Sequence, residues 1–151
     1  MIFERLKQDN LEEYIAYLKI AMSEEPDNMV AEEVDEAGIK SRISDPFYNR
    51  TTSILAKEND IVVGRIEYHF YGCIQDGCKM AYVDWLYVLK AHRHKGIAQM
   101  LFKEFERDCA QNNIDQYYLI RATNEEASRF YGHFEGARLS EVPLLRKDIK
   151  I

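Results

Sequence analysis

The hydrophobic pattern of this chain passes from strand period to helix period across a short basic turn, and that change restricts the fold more than any other feature. Residues 82–88 (Tyr-Val-Asp-Trp-Leu-Tyr-Val) form an apolar, aromatic run of strand type. From residue 97 onward, Ile97, Met100, Leu101, Phe105 and Cys109 recur at helical spacing, with Lys103, Glu106 and Arg107 outside the stripe. Arg93-His94-Lys95-Gly96-Ile97-Ala98 lies between them. The order is strand, basic glycine-containing turn, helix. A helix start presents unpaired N–H groups and a positive dipole end, so such a turn can hold a phosphate or diphosphate without a metal. Glycine there lets the backbone come close to the anion.

The flanking segments predict an α/β chain with one mixed sheet. Residues 2–6 read as a first strand. Asp9 or Asn10 caps a helix running to Met22, with Leu11, Tyr14, Ile15, Leu18 and Met22 on one face, and Pro26 ends that stretch. A second helix is expected over residues 30–44, before Pro46. Residues 51–57, 61–71 and 80–88 then read as three strands joined by short turns, an antiparallel meander. Gly64 marks a bulge or a close approach. After the helix from Gly96 to Gln111, residues 116–120 form a strand that a right-handed crossover makes parallel to its predecessor. Residues 124–133 read as a last helix. Two short strands, 138–142 and 144–149, are expected at the end.

With 151 residues, 46% of them hydrophobic, the chain suits one domain, residues 1–151, with one substantial core. A net charge of −6 argues against general nucleic-acid or anionic-membrane binding. No apolar stretch is long enough to span a membrane and no signal-peptide layout opens the chain, so a soluble, cytoplasmic protein is expected. Residues 23–36 carry seven acidic side chains and no Lys or Arg. They read either as a solvated face or as an entrance that attracts cations. Cys73, Cys78 and Cys109 are an odd set, which suits reduced thiols, and no ligand spacing for a structural metal is present. No metal is expected.

Two segments carry the chemistry together. One is Val88-x4-Arg93-x2-Gly96-x-Ala98. The other, some thirty residues later, is Asn124-x2-Ala127-x2-Phe130-Tyr131. With an aromatic strand before the first and a helix between them, the chain resembles the GCN5-related N-acetyltransferase (GNAT) superfamily from Ile2 to Ile149. One departure is visible: Gly-His-Phe-Glu separates Tyr131 from Gly136-Ala137, one residue more than the family pattern.

The resemblance implies an α/β (α+β) fold of GNAT type: a mixed, mostly antiparallel sheet with a splayed parallel pair, and about four helices. It implies acetyl-CoA as acyl donor, its diphosphate held by Arg93, His94, Lys95, Gly96, Ile97 and Ala98. The pantetheine arm would lie along Leu86, Tyr87 and Val88, and an N–H there would face the thioester oxygen. Asn124 has two open roles, helix cap and cofactor contact. Tyr131 is either the acid that protonates the leaving thiolate or an aromatic packing residue. Asp84, a carboxylate inside an apolar strand and therefore expected to be buried, is the candidate general base or a structural hydrogen-bonder. Glu67 and His69, on one face of the preceding strand, are the alternatives. Tyr82, on the face of Asp84, would line the acceptor cleft. No Cys–His or Ser–His–Asp series is legible, which fits direct transfer to a primary amine in a ternary complex. The acidic stretch favours a small cationic amine as the partner molecule. A homodimer is expected from the resemblance alone. The rival readings are a different acyl-CoA donor, a non-catalytic acyl-CoA-binding module, and a nucleotide-binding protein, for which the Gly-x4-Gly-Lys-Ser/Thr pattern is missing.

Overall fold

The computed structural model describes residues 1–28 and 32–150. The chain divides into two compact units, Met1–Ile120 and Arg121–Ile151. The first holds β1 (Ile2–Arg5), α1 (Leu11–Glu24), α2 (Glu36–Arg42), β2 (Thr51–Glu58), β3 (Ile61–Gly72), β4 (Lys79–Val88), α3 (Ile97–Gln111) and β5 (Gln116–Leu119). The five strands form one sheet in chain order, β1-β2-β3-β4-β5. The first three pairings are antiparallel and β4–β5 is parallel, the consequence of the α3 crossover. Asn59 and Asp60 take left-handed φ values of 51° and 62°, the geometry a two-residue hairpin needs to match strand twist.

Side-chain alternation gives the sheet two different faces. Helix α1 covers one, burying Leu11, Tyr14, Ile15, Tyr17, Leu18 and Ala21 against Leu55, Val62, Tyr87 and Leu89. Helix α3 covers the other with Ile97, Leu101, Phe102, Phe105 and Cys109. Gly64 lies under α3: a Cβ there would sit 3.2 Å from Val88 Cγ2, 3.3 Å from Ile97 Cγ2 and 3.4 Å from Leu101 Cδ1. The glycine therefore marks a close approach of helix to sheet. Asp108, on the same helix, is buried; the Tyr68 hydroxyl and Arg5 donate to it at 2.5 and 2.6 Å.

Two expectations need correction. The second helix occupies only Glu36–Arg42, because Asp35 accepts from Gly38 N–H at 2.9 Å and caps it there. Residues 30 and 31, where the longer helix was expected to begin, lie outside the described residues. The strands expected at 138–142 and 144–149 are absent: residues 137–150 form no strand, and Leu139, Val142, Leu144, Leu145 and Ile149 are exposed. Apolar spacing suggests a strand, but only a neighbour that takes up the N–H and C=O groups makes one. Among the described residues the second unit contains one α-helix, α4 (Glu125–Tyr131).

Candidate active site

Strand β4 carries a bulge at its centre. Glu67 of β3 opposes Trp85, yet Tyr68 opposes Val83, so Asp84 is the extra residue. On the other side, β5 pairs with β4 only from Met80 to Val83. Beyond the bulge, β4 stays paired with β3 as far as Val88, but among the described residues no strand pairs with it on the β5 side. The parallel pair is joined at one end and open at the other.

The open edge exposes particular main-chain groups. Leu89 N–H donates to Val63 O at 2.9 Å, and alternate residues of an antiparallel ladder face the partner strand. By that alternation Tyr87 turns its backbone toward β3, while Leu86 and Val88 turn theirs away. Tyr87 O also accepts from the Tyr17 hydroxyl at 2.9 Å. Val88 O is taken by Arg93 Nε at 3.0 Å. This leaves the Val88 N–H and both main-chain groups of Leu86 along the gap.

The turn after β4 delivers the chain to α3. Within the helix, Met100 N–H donates to Gly96 O at 3.0 Å. The amides of Ile97, Ala98 and Gln99 precede it, the orphan donors of any helix start. Gly96 has φ 76°, and an added Cβ would meet nothing nearer than 3.9 Å. It is the backbone angle, not lack of room, that requires glycine there. His94 shares the left-handed region at φ 62° and is exposed. Arg93 folds back, its guanidinium 5.1 Å from the centre of the Tyr87 ring. His92 Nδ1–H donates to Glu58 at 2.9 Å and Lys95 Nζ lies 3.6 Å from it. The His92 hydrogen bond and the Lys95 charge hold the Glu58 carboxyl below its ordinary range.

On the face that α1 covers, the structure gathers Glu67, His69 and Asp84: one donor atom from each lies within 4.8 Å of the others. Asp84 is not buried as its apolar surroundings suggested. Its side chain is 49% exposed, because the bulge takes it out of the strand's alternation. Its Oδ2 lies 3.5 Å from His69 Nε2. The other ring nitrogen of His69 is 3.0 Å from Thr51 Oγ1. Tyr82 opposes His69 across the strands, and the rings stack at 6.3 Å. Tyr118 packs on Tyr82 at 5.1 Å and accepts from the Tyr71 hydroxyl at 3.2 Å. Sequence reasoning passed over the support beneath Glu67, where Ser53 and Arg65 both donate to its Oε2, at 2.7 and 2.9 Å. The available signal was a charged residue inside the apolar run of β3.

Of the acidic stretch, several members have structural duties. Glu24 accepts from the Tyr87 hydroxyl and Lys90 N–H at 2.9 and 3.0 Å. Glu25 and Glu36 pair with Lys90 and Lys19, and Asp35 caps α2. Glu32 and Glu33 stand exposed.

Asn124 and Tyr131 lie on α4 in the second unit. Asn124 Oδ1 accepts from Ala127 N–H at 2.8 Å, so it is the N-cap. Tyr131 contacts Phe130 and Phe134, with ring centres 4.9 and 5.4 Å away. Burial raises its phenol pKa against the smaller, opposing pull of Arg121.

The Acetyltransferase (GNAT) family matches residues 4–135. No curated protein sequence matches this one. Solved structures share the fold at low identity. One is a ribosomal-protein-alanine N-acetyltransferase from Brucella melitensis biovar Abortus 2308, at 17% identity and TM-score 0.74, covering 97% of this chain and 100% of that one. Another is an aminoglycoside acetyltransferase from an uncultured soil metagenomic sample, solved with sisomicin. It has 14% identity, TM-score 0.81, and coverage of 99% and 96%. A third is an aminoglycoside N-acetyltransferase in complex with CoA, at 13% identity and TM-score 0.70, covering 97% and 99%. The family match spans the open strand pair, the basic turn and α4 alike, and the chain belongs to the GNAT family of acetyltransferases.

Proposed function

We propose that this enzyme moves an acetyl group from acetyl-CoA directly to a primary amine, with both bound at once. The parting of β4 from β5 after Val83 and Leu119 is the observation that carries this reading. It leaves hydrogen-bonding backbone on an open edge that leads straight into the first turn of α3. A diphosphate fits that turn, with free amides at Ile97, Ala98 and Gln99 beside a glycine held at positive φ. Lys95 adds charge, His94 adds a ring N–H donor, and Arg93 braces the turn against β4. Leu86 and Val88 offer an amide-bearing arm a partner edge, and the Val88 N–H suits an oxygen that gains charge. Asn124, already a cap through Oδ1, keeps its amide nitrogen for the same arm.

Acetyl-CoA supplies an activated acyl group on a thiol leaving group. The protein must strip a proton from an alkylammonium with pKa near 10.4 and return one to a thiolate whose thiol has pKa near 8.5. Asp84 takes the first, directly or through water, with His69 beside it. Tyr131 gives the second: a phenol of ordinary pKa near 10 is protonated at neutral pH, and burial moves it further up. The amine nitrogen then holds the acetyl group, and the carbon–sulfur bond is broken. Glu67, Asp84 and the ring faces of Tyr82 and His69 favour a small cationic acceptor. Aminoglycosides, named for one structural neighbour, are amines of that class; the protein alanine named for another is an amine acceptor but not a small one.

The test is thiol release from acetyl-CoA against a panel of amines. Tyr131→Phe will lower kcat by about a hundredfold or more while leaving the KM for acetyl-CoA unchanged. Asp84→Asn will shift the pH–rate profile. A wild-type protein that binds acetyl-CoA but acetylates no amine would sink this reading in favour of a non-catalytic acyl-CoA-binding module.

A further inference from the structure

The structure assigns Arg65 a role as positioning residue for the acceptor amine, acting through Glu67; this rests on the amine-acetylation reading above. Arg65 is 5% exposed, so its charge must be answered inside the protein. Its guanidinium carbon lies 5.3 Å from the centre of the Tyr14 ring and 5.2 Å from that of Trp85. Held between two aromatic rings, it has little freedom of orientation. Its Nη1 donates to Glu67 Oε2 at 2.9 Å and to Ser53 Oγ at 3.3 Å. Ser53, buried and directly opposite Glu67 on β2, donates to that same Oε2 at 2.7 Å.

Both donors therefore converge on one oxygen. Two donors on one oxygen pin that oxygen in place, and the other oxygen of the carboxylate remains an acceptor. Side-chain exposure rises outward from the anchor: 7% at Arg65, 22% at Glu67, 35% at His69 and 49% at Asp84. Glu67 is where the buried anchor meets the open cluster. A simple buried ion pair would need none of this: the charge of Arg65 could be answered by a carboxylate turned away from His69 and Asp84. Arg65 and Ser53 instead aim Glu67 so that its second oxygen accepts an N–H of an ammonium lying beside Asp84. Arg65 itself touches no substrate.

Steady-state kinetics of Ser53→Ala, Arg65→Met, Arg65→Lys, Glu67→Gln and the double variant Arg65→Met/Glu67→Gln tests this, with folding checked by circular dichroism. Ser53→Ala and Arg65→Met will raise the KM for the amine by about tenfold, the worth of one hydrogen bond to a charged group, and leave the KM for acetyl-CoA unchanged. Arg65→Lys will recover part of the loss. On the Glu67→Gln background, Arg65→Met will add little, because its route is already cut. If Arg65→Met does not fold, Ser53→Ala decides alone, and an unchanged amine KM with that variant overturns the role. An effect of Arg65→Met that is equal on both KM values, or fully additive with Glu67→Gln, also overturns it. A wild-type protein silent on every amine removes the acetyl-transfer reading and this role together. An active wild type with any one of those three results removes this role alone.

Discussion

Gly64 has little room to spare where helix α3 crosses the sheet. A Cβ there meets methyl groups of Val88, Ile97 and Leu101 at 3.2–3.4 Å. All three are buried, and two are β-branched with little rotamer freedom to yield. Gly64→Ala will therefore cost about 1–3 kcal/mol of stability, as overpacking does. Val88 ends the open edge and Ile97 begins α3, so the same substitution will raise the KM for acetyl-CoA. Urea unfolding and steady-state kinetics check the two effects, and a fully stable variant with unchanged KM would mean that helix and sheet part without consequence. At this scale Gly64 was readable from sequence as an oddity in a strand, and Asp84 as a carboxylate in apolar company. The bulge that turns Asp84 outward was not readable, since it exists only as a mismatch between β3 and β4.

The strand pair β4–β5 shows how one element can serve two partners. Its first half is closed by Gln116–Leu119, and its second half is left for something else. Amide hydrogen exchange will display this directly. On addition of acetyl-CoA, the Leu86 and Val88 amides, with those of Ile97 and Ala98, will slow by about tenfold or more. Tyr87, already turned toward β3, will change little. Equal protection at all three strand positions would refute the alternation, and no protection anywhere would refute the binding edge. The same scale explains why no strands form at the two terminal segments. The spacing of Leu139, Val142, Leu144 and Ile149 fits an extended chain, but residues 137–150 form no strand, since apolar spacing alone supplies no hydrogen-bonding partner.

Across the whole molecule, groups that resist ionisation make stability depend on alkaline pH. Burial pushes the Tyr17 phenol from its ordinary 10.0 to about 12. Burial, with the negative charges of Asp108 and Glu106, pushes the Cys109 thiol from 9.0 to about 12. Both values are raised on folding, so the associated stability is fully present below pH 9 and is lost as pH climbs toward 12. Each group that must stay protonated adds a slope of up to about 1.4 kcal/mol per pH unit. The urea midpoint will fall steadily over that window, and Tyr17→Phe will flatten the upper part of the curve. A midpoint independent of pH over the window would contradict the burial of both groups.

From the sequence alone came the strand–turn–helix order, the meander, the parallel crossover and the residues of both family motifs, because hydrophobic period, turn chemistry and the spacing of Gly96, Ala98, Asn124 and Tyr131 are local properties of the chain. The tertiary structure decided the rest. Where β5 stops pairing, which way Asp84 points, and the grip of Ser53 and Arg65 on Glu67 all depend on residues brought side by side from different strands. Such relations have no signature along the chain, since a register or a shared hydrogen bond belongs to two segments at once.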